Sequence, residues 1–131
     1  MEAILTRPTK TRSWSGLVVT AIPTVFLTFD GVAKLFKPQP VIEALERLGY
    51  PVDTAAPIGA LLLACVAVYV VRRSAPLGAV LLTGYLGGAV STHVRAGSTL
   101  FETIFPILVG ALVWAGAYLR DARVRALAPW A

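Results

Sequence analysis

Residues Ile58–Val71 read IGALLLACVAVYVV, a run whose only polar groups are Cys65 and Tyr69. A surface helix of a soluble bundle carries a polar stripe every three to four residues. This run has none, so its surroundings must be apolar on every side. Working outward, four such blocks make up most of the 131 residues, at roughly 17–36, 55–71, 75–94 and 104–119. Each approaches the ~20 residues that carry a helix across a bilayer core of about 30 Å. Only 15% of the chain is charged and its mean hydropathy is +0.73, against about 25% charged in soluble domains. The expected fold is all-α: a single domain over residues 1–131, built as an integral membrane four-helix bundle.

A net charge of +5 would suggest nucleic acid in a soluble protein. Here orientation explains it, and no nucleic-acid partner is expected. Arg7, Lys10, Arg12, Arg72, Arg73, Arg120, Arg123 and Arg125 fall on one side of the four blocks, and Lys34, Lys37, Arg47 and Arg95 on the other. Basic residues concentrate in cytoplasmic loops, so both termini are expected in the cytoplasm. Trp14, Tyr69 and Tyr118 then fall near the cytoplasmic interface, where amphipathic rings are favoured. The N-terminal stretch does not resemble a cleaved signal peptide, because the apolar block after it is too long and carries Asp30 and Lys34. Cys65 is alone, which removes disulfide and CxxC chemistry.

Between the first two blocks, Pro40 suits the first turn of a helix and Gly49 its end. Val41, Ile42, Leu45 and Leu48 follow helical spacing. The segment reads as a short amphipathic helix on the outer interface or capping the bundle, with a solvated connector as the alternative. The short turn Arg72–Pro76 makes the second and third blocks an antiparallel hairpin.

An ionisable side chain at bilayer depth costs several kcal/mol unless a partner or water relieves it, so each one marks a candidate site. Asp30, Lys34, His93, Arg95 and Glu102 gather toward one end. Asp30 and Lys34 stand at i,i+4 in the favourable order for an ion pair. In that reading Lys34 snorkels to the headgroups. In the other, Asp30 turns inward and needs a partner from another helix. Gly84, Gly88 and Thr92 form a small-residue face expected to pack closely on a neighbour. Arg95 lies two turns beyond Gly88 and is the first choice to meet Asp30. His93 stands about 200° from Arg95 around the helix and would point elsewhere, yet it is the natural proton carrier.

Thr99 and Glu102 fit a capping box, and Glu102 is alternatively part of a polar site. Asp30, His93 and Glu102 make no convincing metal set, and none is expected. Tyr85 lies mid-helix, as a pocket wall or as core. Thr20, Thr24 and Thr28 share a face beside Pro23, where hydroxyls bonding back to backbone carbonyls would support a bend.

Four segments together resemble the DoxX-like family of small four-helix membrane proteins. They are Asp30-Gly31-Val32-Ala33-Lys34-Leu35, Leu48-Gly49-Tyr50-Pro51, the run from Gly84 to Arg95, and Leu119-Arg120-Asp121-Ala122-Arg123. The resemblance implies a four-helix bundle in a bacterial cytoplasmic membrane, linked through the family's name to thiosulfate:quinone oxidoreduction. The expected function is a redox-associated subunit or accessory module that holds an apolar small molecule, with Asp30, Lys34, Tyr85, Thr92 and Arg95 as ligand-binding residues. A bound quinone is the expected ligand and no cofactor is built in. A redox enzyme or a second copy is the expected partner, besides the lipid bilayer. The alternatives are an isomerase- or cyclase-type enzyme using Asp30, His93 and Glu102 as acids and bases, and a structural interaction protein.

Overall fold

A computed structural model describes residues 10–127. Of the basic residues counted above, Arg7 lies outside the described residues. The described chain is all helix: α1 (Lys10–Phe36), α2 (Gln39–Leu48), α3 (Ala55–Val70), α4 (Ala75–Ala96), α5 (Leu100–Arg120) and α6 (Ala122–Leu127), with single 3-10 turns at Val52–Thr54 and Arg72–Ser74. Four spans are long and apolar enough to cross a membrane: Trp14–Phe36, Val52–Val70, Arg72–Ala96 and Leu100–Arg120. No more than 33% of any span lies inside the bundle. The remainder presents Leu17, Val25, Phe29, Leu77 and Ile107 outward. An apolar exterior on this scale fits lipid and not water, so the chain is a multi-pass membrane protein.

The four long helices form a ring in which α1 packs on α3, α3 on α4, α4 on α5 and α5 back on α1. The pairs α1/α4 and α3/α5 are therefore diagonal. The amphipathic helix expected between the first two spans is α2. It ends at Gly49, whose φ of +86° is the left-handed cap that glycine adopts without strain.

One end of the ring, carrying the Arg72–Ser74 turn and α6, is drawn tight through glycines. A β-carbon on Gly78 would lie 2.3 Å from the Tyr69 Cα, and one on Gly116 would lie 2.5 Å from the Thr20 hydroxyl. Tyr69 fills the centre, fully buried. Its hydroxyl donates to the Val113 carbonyl at 2.7 Å. The Arg120 guanidinium sits 4.6 Å from its ring centroid and donates to its carbonyl. Tyr69 lies in the last turn of α3, but its ring is turned into the bundle, where glycine-thin neighbours admit it. Close packing at Gly84 and Gly88 is corrected. Added β-carbons there meet nothing within 4 Å, because α4 turns its Gly78, Ala79, Leu82 and Leu86 face inward instead. Nor do the Thr20 and Thr24 hydroxyls bond back to α1 carbonyls. Thr20 sits against the Tyr69 phenol, and Pro23 is accommodated by full burial.

Beyond the last span, Asp121 is a buried hub. It accepts the Arg123 backbone N–H at 2.8 Å and the Arg123 guanidinium at 3.1 and 2.8 Å. The same guanidinium reaches the Arg72 carbonyl at 3.0 Å, tying α6 to the α3–α4 turn. Burial, the largest single influence, opposes ionisation of Asp121. The Arg123 hydrogen bonds and charge together outweigh it and hold the carboxyl below its ordinary value.

Gly78→Ala should destabilise the detergent-solubilised protein by on the order of 3 kcal/mol through overpacking. Gly87→Ala, where nothing lies within 4 Å, should be neutral or stabilise by up to about 1 kcal/mol; thermal unfolding followed by circular dichroism reads both. A carboxyl whose folded value is depressed stabilises above its unfolded value, about 3.9, and loses that contribution as pH falls through the folded value. Asp121→Asn should therefore lower the melting temperature at pH 7, and the gap from the parent protein should start to close below about pH 4 and vanish only below the depressed folded value.

Candidate functional site

At the opposite end the four helices part around a cavity of about 420 Å³, within the range of small-molecule sites, ~300–1,000 Å³. Leu27, Ile58, Leu86, Pro106 and Val109 supply apolar wall, and α2 lies over it with Leu45 and Leu48. Leu45 is 4% exposed, so the apolar stripe of α2 is used as a cover. After the Gly49 cap, the Tyr50 N–H returns to the Leu45 carbonyl at 2.9 Å. That turn throws the Tyr50 side chain across to α4, where its hydroxyl lies 3.0 Å from Thr92 Oγ1. Thr92 donates its own proton to the Gly88 carbonyl at 2.8 Å, so Tyr50 is the donor in the pair.

On α1, Lys34 Nζ meets Asp30 Oδ2 at 2.5 Å. The Lys34 side chain is 17% exposed and that of Asp30 36%. Lys34 therefore folds back along α1 over the cavity and does not snorkel outward. Arg95 does not reach Asp30. It is exposed, lies outside the cavity lining, and sits on the helix diagonal to α1. Of the two partners expected for Asp30, Lys34 is the one it meets and Arg95, the first choice, is not.

His93 occupies the inward position instead. It falls one heptad beyond buried Leu86 and lines the cavity. Gly97, at φ +70°, ends α4 and turns the chain so that Ser98 Oγ stands 2.9 Å from His93 Nδ1. Glu102 Oε2 is 3.9 Å from the same nitrogen. Glu102 also belongs to the α5 cap: its N–H donates to Thr99 Oγ1 at 3.2 Å, and that hydroxyl donates to Glu102 Oε1 at 3.3 Å. The expected return bond to the Thr99 amide is thus made to the hydroxyl. Glu102 supports His93 from outside the cavity lining. Tyr85 is half-buried on the cavity wall, and its hydroxyl has no hydrogen-bond partner among the described residues.

The cavity thus brings together Asp30, Lys34, Tyr85, Thr92 and His93, with Glu102 behind and Arg95 apart. Tyr50 was not foreseen, nor was the aromatic pair Phe26–Phe105, at 5.2 Å between centroids and 70°. The signal for Tyr50 was an aromatic hydroxyl directly after a capping glycine. Periodicity carries no trace of it.

The family model described as the DoxX-like family matches residues 18–116, which takes in the second and third spans, most of the first and fourth, and the whole cavity lining. The chain belongs to the DoxX-like family. No curated protein and no solved structure gives a match. In this DoxX-like chain the expected family and its four-helix membrane bundle hold, and the cavity is a feature of the matched region itself.

Removing one partner leaves an unpaired charge at a partly covered site. Asp30→Asn should therefore destabilise more than the double variant Asp30→Asn/Lys34→Met. A double-mutant cycle in detergent should give a coupling of about 1 kcal/mol, above the ~0.3–0.5 typical of exposed helical pairs. A coupling near zero would mean that the two groups act separately.

Proposed function

We propose that this protein is a membrane module that holds an amphiphilic small molecule of the quinone class for a redox partner. The observation that carries the reading is one cavity, apolar along its walls, on which Lys34, Tyr85 and His93 converge. Such a mix, mostly apolar with a few placed polar groups, is how small-molecule sites bind and orient a ligand. A quinone ring carries carbonyl acceptors and an apolar body, which suits both parts. The excess of basic residues at the glycine-tight end supports a cytoplasmic position for that end, with the cavity then in the outer half of the membrane. Cys65 and His93 are the single residues of their kinds, so a redox enzyme partner supplies the electrons for any turnover. His93, backed by Ser98 and Glu102, serves as the proton relay that quinone reduction requires.

Protein captured with its native lipids in polymer-bounded discs should release a lipid quinone enriched over the bulk membrane extract, read by mass spectrometry. Tyr85→Phe should retain the fold and lower that enrichment by roughly 3–10-fold, the worth of one hydrogen bond of about 1 kcal/mol. An extract indistinguishable from bulk lipid would sink the proposal.

A further inference from the structure

The four seams of the ring are closed differently at the cavity end. The α1–α3 seam is shut by backbone proximity: a β-carbon on Gly59 would lie 2.6 Å from the Gly31 carbonyl oxygen. Phe26 and Phe105 shut α1–α5 with an edge-to-face contact. The α4–α5 seam is held by Trp114 donating to Thr83 at 2.6 Å, and farther along by His93 beside Glu102. The α3–α4 seam differs. It is pinned at the far end by Gly78 against Tyr69, and the Tyr50–Thr92 bond spans its cavity end. Between these points Leu61 on α3, 58% exposed, and Gly84 and Gly88 on α4 all line the cavity. Nothing lies within 4 Å of a β-carbon on either glycine.

Gly84 is the tenth of the twenty-two residues of α4. At about 1.5 Å per residue it lies near the middle of a hydrocarbon core of about 30 Å. This window therefore opens onto lipid tails and not onto water. We infer that the α3–α4 seam is a lateral portal, and that the ligand is a lipid whose head lies in the cavity while its single slender tail passes between Leu61 and the Gly84–Gly88 face into the bilayer. The inference rests on the reading of the cavity as an amphiphile site and adds the tail, its route and the entry from the membrane. Glycines at 84 and 88 supply the width: any larger side chain would occupy the tail's path. The Tyr50–Thr92 bond bounds the portal on the side nearer α2, keeping the polar head from slipping outward.

The test uses one benzoquinone in two forms, with a decyl tail and with no tail, titrated against the purified full-length protein in detergent. The variants are Gly84→Leu, which narrows the portal, and Gly87→Leu. Gly87 has equally open space around its β-carbon position but lies outside the cavity lining. Thermal melts confirm that each variant folds. Gly84→Leu should weaken the tailed compound by about tenfold or more, the affinity carried by roughly two buried methylenes. It should leave the tailless compound within about twofold, and Gly87→Leu should change neither. If Gly84→Leu spares the tailed compound, or weakens both forms equally, the portal is wrong and the head-binding cavity stands. Oligomer size shifting in both variants would make the glycine face a contact between copies and also overturn the portal. If the parent protein binds neither form, the cavity reading fails and takes the portal with it.

Discussion

The space in this bundle depends on where helices touch without side chains between them. Gly78 against the Tyr69 backbone and Gly116 against Thr20 bring axes together at one end. Bilayer proteins have little hydrophobic drive between helices, so close backbone approach at small residues is what holds them. Helices pinned closely at one end and separated by side chains at the other must diverge; α1 and α3, brought together again by Gly31 and Gly59 at the cavity end, are the exception. The divergence leaves room for a cavity, and α2 spends its apolar stripe closing the top. The same pinch explains the buried tyrosine: with glycines opposite, Tyr69 fits at the centre, where it bonds the Val113 carbonyl.

The spans, the α3–α4 hairpin and the α2 cover were legible because each rests on hydropathy or on a local signal. Pro40 and Gly49 bracket α2, and Thr99 caps α5 through the Glu102 N–H. The partner of Asp30 was less legible. Periodicity correctly put Gly88 and Arg95 on one face and His93 on another. It could not say which face turns inward. The small-residue rule chose the glycine face, yet Gly84 and Gly88 border open space, while Gly78 and Ala79 sit on the packed face. A glycine that admits a neighbouring helix and one that borders open space look the same in a sequence. Orientation decided the rest: Arg95 is exposed and lies outside the cavity lining, so it turns away from Asp30. Tyr50 eluded the reading because its place depends on a left-handed glycine turn and on the distance from α2 to α4.

The polar groups around the cavity are not equally available. Asp30 and Lys34 neutralise one another, so no net charge from that pair faces a ligand. Tyr50 spends its proton on Thr92, and Thr92 spends its own on Gly88. Glu102 is engaged by Thr99 and by His93. What remains uncommitted is the Tyr85 hydroxyl, the further N–H bonds of Lys34 and the Nε2 of His93. An ammonium group only donates, whereas a phenol and a histidine nitrogen can also accept. An anionic head would compete with Asp30 for Lys34 and would strand a carboxylate at bilayer depth, which is costly. A cationic head would meet Lys34 itself. The head that leaves the ion pair intact is neutral and rich in carbonyl acceptors, taking hydrogen bonds from Lys34 and Tyr85. This argument from availability supports the proposed ligand class, and it does so without reference to the family.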